Sequence, residues 1–562
     1  MSEAFVAPSH RPKTRLTFLQ AEVCFASTSA DGMKKEEFQK LLGQEREKFR
    51  QQLATRTVDP SGLFSGFTGR IGVVLSGGGA RGAYEAGALL AFQDAAMPTH
   101  ILAATSVGSI NAASYASHSS SLVGNAESLI ESWTQVSPPA MGIDWSRYIL
   151  MLAGLVAATA GFFNALRGWL QEHGTFLHGS YPVLTWLSLM LAGISVLLLY
   201  DQMPYFFYVV SNFLHRGHWK PDMKKALRSL SANLLVWGFV YIFLNFTHLH
   251  FYSRVVQFDL SSRVLALVLV LLFVALWFVM RERLSLLSHR FLRMPLRSGL
   301  FPNYERTTFL RGRIAADRLR ASPIRVIMTA TDLDAGRANY FSNASPEELA
   351  GDPNVAQTFV RSEVVQPDDL LQAVIASSAF TIVYEAVPML GRLWTDGGVI
   401  TNQPIRPAVR LGADILFLVM VQPANAPDKS AVKTFMDAGV RAMDILMARN
   451  LKADLRLLDY INRMCVNYAT GLNLRPEEIE IEMAGARFKY IKAFTISPRQ
   501  PLAATSLDFD GEITSPTILE GYRDGQGAIT EFLDYLGNLT TLRPRHLVKL
   551  VTEELAEKQT AR

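Results

Sequence analysis

Hydrophobic positions along this chain fall into three regimes. Residues 70–76 form a short apolar run bounded by glycines, which predicts a buried strand. A helix-compatible stretch follows at 83–92, then a second apolar run at 101–105 and a second helix behind it. Strand, helix, strand in that order predicts a right-handed crossover and a parallel sheet. The texture then changes. Residues 148–166, 181–200 and 229–253 carry no Asp, Glu, Lys or Arg, and residues 264–280 are dominated by Leu, Val, Ala and Phe. Each stretch is long enough, or nearly so, to cross about 30 Å of hydrocarbon at about 1.5 Å per residue. From residue 323 the short-run pattern resumes, with strands expected at 324–330, 415–421 and 490–496 and a helix at 368–378. Residues 432–464 have apolar positions at helical spacing, and residues 33–54 read as a charged amphipathic helix.

Composition agrees with a split chain. Of 562 residues, 49% are hydrophobic, and the surplus lies between residues 145 and 280. The net charge of +5 is mild and makes no case for nucleic acid as a partner. Only Cys24 and Cys465 occur, in unrelated contexts, which argues against a disulfide framework or a zinc site. The N-terminus shows no signal-peptide pattern. Charge orients the four apolar stretches. The loop at 215–228 has Arg216, Lys220, Lys224, Lys225 and Arg228, and the segment after Met280 has Arg281, Arg283, Arg290, Arg293 and Arg297. The loop at 167–180 has only Arg167, and that at 254–263 only Arg254 and Arg263. This alternation is what four spans give when basic loops stay in the cytoplasm. An even number of spans also returns the chain to the side it left.

Candidate chemistry sits on the flanks. At residues 101–113 an apolar run leads to Ala104-Thr105-Ser106-Val107-Gly108 and then a helix. This is the layout of a nucleophile elbow, in which a serine sits on a sharp strand-to-helix turn beside the first helical amides. Gly77-Gly78-Gly79-Ala80-Arg81-Gly82 follows the first strand, and three consecutive glycines leave backbone N–H groups free to face an oxyanion. Asp396-Gly397-Gly398 places a carboxylate on a tight loop, where it is a candidate base. The glycine loop also fits a dinucleotide fingerprint. That reading needs an acidic residue near the end of the next strand, and residues 101–105 contain none. Nor does the loop carry the Gly-Lys-Ser/Thr of a phosphate-binding loop.

The three motifs in this order, together with Ala376-Ser377-Ser378-Ala379-Phe380 and Tyr384-Glu385-Ala386-Val387-Pro388, resemble the patatin-like phospholipase family. Ala104 stands where the family usually has glycine. The resemblance implies an α/β hydrolase core with a mostly parallel sheet. It implies a Ser106–Asp396 dyad, an oxyanion hole from Gly77, Gly78 and Gly79, and support from Arg81, Gly108, Gly397 and Gly398. None of the eleven histidines stands in a motif, which leaves a Ser-His-Asp triad without an owner. The expected reaction is hydrolysis of fatty-acyl esters of (lyso)phospholipids without a metal or cofactor. A lipid transacylase would use the same residues, and a non-catalytic lipid-binding scaffold is the alternative of another class. The expected organisation is an N-terminal extension at 1–69, catalytic segments at 70–145 and 301–540 flanking a membrane insert at 146–300, and a charged helical tail at 541–562. The expected location is the inner or plasma membrane, with the catalytic halves in the cytoplasm.

The loop charges generate a topological test. In a protein lacking Cys24 and Cys465, single cysteines at Ser180 and Ser261 should react with an impermeant thiol reagent in intact cells. A cysteine at Trp219 should stay protected until lysis. Labelling at Trp219 in intact cells would reverse the orientation.

Overall fold

A computed structural model describes residues 32–56, 64, 67, 69–143, 152–164, 193, 299–345, 348, 367–423, 435–483, 486–538 and 545–550. Its centre is an eight-stranded sheet in the order β12-β9-β1-β2-β4-β8-β7, with β5 also paired to β4. The strands are β1 (Ile71–Leu75), β2 (Ile101–Thr105), β4 (Arg325–Asp332), β5 (Arg337–Ser342), β7 (Val387–Met389), β8 (Arg392–Asp396), β9 (Ile415–Val419) and β12 (Lys492–Ile496). β1 and β2 precede the apolar block and the others follow it, so the sheet takes strands from both flanks.

The sheet is mixed, where a mostly parallel one was expected. β12, β9, β1, β2 and β4 are parallel. β5, β8 and β7 join antiparallel. The physical reason is the connections. β4 to β5 and β7 to β8 are tight hairpins turning at Gly336 and Gly391, both at positive φ, whereas the parallel strands are joined by helical crossovers. β1, β2 and β9 are buried along their whole length, as strands covered on both faces must be.

Helices cover the sheet. α1 (Lys35–Ala54) places Phe38, Leu42, Phe49 and Leu53 in the main core and ties Arg46 to Asp94 at 2.7 Å. It is thus an amphipathic helix docked on the domain. α2 (Ala83–Asp94) follows the glycine loop, α3 (Val107–Ser117) follows β2, and α4 (Glu127–Gln135) precedes the apolar block. After the block come β3 (Gly299–Phe301), α5 (Tyr304–Arg311) and α6 (Pro367–Ser377). β3 pairs with β6 (Ile382–Tyr384). The helical stretch expected at 432–464 is α7 (Phe435–Gly471). α8 (Gly511–Asn538) lies backbone to backbone on α2, because Gly87 and Gly521 leave no room for a Cβ against Ile518 and Tyr84.

The tail departs from expectation. His546–Leu550 is strand β13, where a helix was expected; it pairs with β10 (Ile479–Met483), which also pairs with β11 (Ala486–Lys489). Lys549 stands opposite Glu482, so the partner strand offers this segment a charge match that its own sequence does not display.

Most of the four expected spans lies outside the described residues. Among the described residues no helix is long and apolar enough to cross a membrane. Residues 152–164 of the first expected span are helical, with Leu152, Val156, Phe162 and Phe163 exposed. Gly193, from the second, sits directly against Gly154 and Ala158, leaving no space for a Cβ. Gly154 and Ala158, one helical turn apart, thus let the backbone at Gly193 approach closely.

The α2–α8 contact yields a paired prediction. Gly521→Ala pushes a methyl into the Tyr84 carbonyl, an overpacking cost of about 1–3 kcal/mol that outweighs the roughly 1 kcal/mol alanine gains as a helix former. Gly527→Ala, with nothing within 4 Å, keeps only the gain. Thermal melts should move down for the first and up for the second; equal shifts would contradict the packing.

Candidate active site

The register of β4 explains why two distant residues meet. β5 occupies one edge of β4. The other edge is shared: β2 pairs with Arg325 to Thr329, and β8 pairs with Ala330 to Asp332. β2 runs parallel to β4 and β8 antiparallel, so their C-terminal ends approach each other along that edge. Thr105 lies opposite Thr329 and Asp396 opposite Ala330. Ser106, the next residue after β2, therefore arrives beside Asp396.

Ser106 has φ +56° and ψ −127°. A non-glycine residue there carries about 1–3 kcal/mol of backbone strain, which its surroundings must hold. They do so at several points. The Ser106 N–H donates to Ser377 Oγ at 3.1 Å, and the Ser106 carbonyl accepts from Ser109 N–H at 2.9 Å. Gly108 lies so close to the end of β1 that a Cβ would come within 2.9 Å of Leu75. Ala104 is an ordinary strand residue paired with Leu75 and Met328, and it has no positive φ. The strain falls on Ser106 itself, so alanine serves at 104 as well as glycine would.

Ser106 Oγ donates to Asp396 Oδ2 at 2.6 Å. Asp396 is fully buried. Its other oxygen, Oδ1, accepts from Gly398 N–H at 2.7 Å. Its backbone is fixed by Ala379 carbonyl, which accepts the Asp396 N–H at 3.0 Å, and by Thr331 Oγ1, which donates to the Asp396 carbonyl at 2.9 Å. Gly397 packs on the Thr329 backbone where no side chain fits. Burial raises the Asp396 pKa to about 6, against the opposing pull of the Ser106 hydroxyl, the Gly398 amide and the Arg306 charge. The carboxylate is thus a stronger base than a solvated one and remains ionised at neutral pH.

The glycine loop differs from expectation in one respect. The Gly77 N–H donates to Asn402 Oδ1 at 2.9 Å, so it is not free for a substrate oxygen. Gly77 instead admits Ser106, whose Cβ would be 2.8 Å from an added methyl. The amides of Gly78 and Gly79 have no partner among the described residues. Gly79 has φ +59° and touches the Ser506 carbonyl, which accepts the Ala80 N–H at 2.9 Å. Arg81 is buried and donates to Ser506 Oγ at 2.8 Å, so it anchors the loop. Asn111 donates to the Gly82 carbonyl and to Glu85, and accepts from Trp133 Nε1.

Three supporting residues were not assigned from sequence. Ser377 and Asn402 hold Ser106 and Gly77. Arg306, on α5, is fully buried, and its guanidinium donates to the Ile375 carbonyl at 3.0 Å, to Ser378 and to Asn303. It lies 4.2 Å over the Tyr384 ring. It therefore caps the C-terminal carbonyls of α6 with a positive charge, which the helix dipole favours. Burial lowers its pKa to about 10, still well above neutral, while Tyr384, Asp396 and Glu385 favour its charge. Ser377 and Ser378 were visible only as parts of a matching motif.

Histidine takes no part in these contacts. His100 Nδ1 accepts from Ile71 N–H at 3.1 Å, and His118 Nδ1 contacts the Ser114 carbonyl. Among the described residues no group of His, Cys, Asp and Glu is suited to a metal ion. What the arrangement supplies is a strained hydroxyl, a buried carboxylate at its oxygen, and two unpaired amides on a neighbouring loop.

A family model described as patatin-like phospholipase matches residues 73–185 and 211–409. A search of curated proteins gives no match. Among solved structures, VipD from Legionella pneumophila aligns at 12% identity and a TM-score of 0.29, covering 83% of this chain and 67% of that one.

The electrostatics predict a pH effect. Ser106 should react with a fluorophosphonate when Asp396 is ionised, so labelling should fall as the pH drops through about 6. Arg306→Met removes a charge that favours the carboxylate and should move that limb upward, whereas Arg306→Lys should restore it. An unmoved limb in Arg306→Met would mean that Arg306 serves the fold alone.

Proposed function

Since the chain belongs to the patatin-like phospholipase family, we propose that it is a membrane-held serine acyl hydrolase that cleaves fatty-acyl esters of phospholipids or lysophospholipids. The observation that carries this reading is the 2.6 Å hydrogen bond from Ser106 Oγ to Asp396 Oδ2 at a strained elbow. In the proposed reaction Asp396 takes the hydroxyl proton as Ser106 Oγ attacks the ester carbonyl. The Gly78 and Gly79 amides receive the developing oxyanion; one such donor is worth about 3–4 kcal/mol. Collapse of the tetrahedral intermediate expels the lipid alcohol, which leaves with the proton held by Asp396. Water, deprotonated in turn by Asp396, then attacks the acyl-enzyme and releases the fatty acid.

The charge alternation of the insert supports a site on the cytoplasmic side of the inner or plasma membrane. Anchoring there raises the local concentration of lipid at the site, because capture becomes a search within the attached surface.

Fluorophosphonate labelling of the full chain tests the proposal. The wild type should label and Ser106→Ala should not. Asp396→Asn removes the base while keeping its size, and should lower ester hydrolysis by at least about a hundredfold with unchanged circular dichroism. A folded wild type that neither labels nor hydrolyses esters would favour a lipid-binding scaffold, and near-normal turnover in Asp396→Asn would sink the dyad.

A further inference from the structure

The residues of α2 from Ala83 to Phe92 are all buried, and Glu85 is the one carboxyl group among them. It is fully buried. Among the described residues no cation pairs with it, and burial holds its carboxyl well above the usual range, against the opposing pull of Asn111 and Ser76. A polar group in such a place costs stability unless its hydrogen bonds are met. Its described hydrogen bonds go to Ser76 and Asn111, not to either member of the dyad.

The two oxygens of Glu85 reach toward the two ends of the glycine loop. Oε1 stands 3.5 Å from the hydroxyl of Ser76, the residue before Gly77. Oε2 accepts from Asn111 Nδ2 at 2.9 Å, and the same Nδ2 donates at 2.8 Å to the carbonyl of Gly82, where the loop ends. Trp133 Nε1 donates to Asn111 Oδ1 at 3.0 Å, and an indole nitrogen can only donate, so the Asn111 amide has one orientation. Ser76 Oγ also accepts from Val421 N–H at 3.3 Å, which ties the loop's entrance to the segment after β9. Asn111 belongs to α3, the helix that begins behind Ser106, and an added Cβ on Gly82 would come within 2.6 Å of Val107. Glu85 thus joins the entrance of the loop, its exit and the elbow helix, while Ser506 holds the loop's middle through Ala80 and Arg81.

We propose that Glu85 is a positioning residue for the oxyanion: by fixing Ser76 and Asn111 together, it holds the amides of Gly78 and Gly79 toward the carbonyl oxygen of an ester attacked by Ser106. This rests on the hydrolase reading above, and its test separates the two. Glu85 touches no reacting atom and acts through the loop. Its loss is therefore felt in kcat, where an oxygen anion must be held, and much less in KM. Glutamine can take its place, because one end need only accept from Asn111 and the other can donate to Ser76 Oγ. Aspartate, one methylene shorter, cannot serve both ends of the loop at once.

The readout is the ratio of kcat/KM for p-nitrophenyl butyrate to that for its thionoester, whose sulfur is a poor acceptor for the same amides, with the full chain. Glu85→Met keeps the length and helix propensity of the side chain and should lower the ratio at least about tenfold, through kcat on the oxygen ester. Glu85→Gln should stay within about threefold of wild type. A merely structural role would slow both substrates alike. An unchanged ratio in folded Glu85→Met, or a Glu85→Gln protein as impaired as Glu85→Met, would overturn the proposal while leaving the hydrolase intact. Should Glu85→Met fail to fold, Glu85→Asp should lower the ratio in the same way, and an unchanged ratio there counts equally against it. Amide exchange read by mass spectrometry in Ser106→Ala protein needs no turnover. Adding Glu85→Met should speed exchange of the bonded Gly77, Ala80 and Arg81 amides at least about tenfold and leave β9 unchanged. That result supports the positioning role even if the wild type hydrolyses nothing, an outcome that counts against the hydrolase reading alone. Exchange unchanged in the loop would overturn the role.

Discussion

One edge of one strand organises this protein. β4 lends half of its edge to β2 and half to β8, which approach from opposite directions. A serine following β2 and an aspartate ending β8 must then meet, although 289 residues of chain separate them. The meeting needs little from the side chains themselves. It needs the register, and the register is fixed because β2 is buried along its length and a slip of one residue would turn its side chains to the wrong face. The antiparallel strands that make the sheet mixed are therefore what bring the aspartate to the serine. A wholly parallel sheet would place all strand ends at one edge and would offer no such head-to-head junction.

That junction is held rigid by contacts that share parts. α6 accepts the Ser106 amide through Ser377, and just beyond its end the Ala379 carbonyl accepts the amide of Asp396. One helix terminus thus holds both members of the pair, and Arg306 neutralises its last carbonyls from below. The design is costly, since a buried guanidinium without an ion pair among the described residues and a buried carboxylate both lose hydration. Their mutual attraction offsets part of that loss. It also keeps Asp396 from rising further in pKa, which would leave it protonated at neutral pH and useless as an acceptor.

Much of this was legible in the sequence, for local reasons. The first strand and its glycine loop, the elbow at Ser106 and the Asp-Gly-Gly turn are each written within a few consecutive residues. Apolar runs also marked β4 and β9, as burial on two faces produces them, and β12 was marked although it is an edge strand with Thr495 exposed. The hairpins were not legible, because β7 has three residues and β8 has two exposed ones, Arg392 and Leu393, that blur any alternation. Nor was the fate of Gly77, which depends on Asn402, a residue 325 positions away that no periodicity connects to it. β13 failed for the same reason: a short charged segment takes the conformation of its partner, and the partner was not visible from within it. No motif marked Arg306, and only burial against α6 gives it a role.

The place of the apolar block follows from the same geometry. An insertion is tolerated where the host chain leaves and returns at neighbouring points, since the host then closes over the break with its own contacts. Gly142 and Pro302 supply that closure, and Tyr384 bonds to the departing turn at Met141 while β6 pairs with the returning strand β3. The returning segment does not merely rejoin the domain. Its first helix is the one that carries Arg306 to the end of α6. A movement of the block's base would therefore reach the helix terminus that holds the dyad through a single helix of eight residues. An insertion at a distant surface loop would have no such handle on the site.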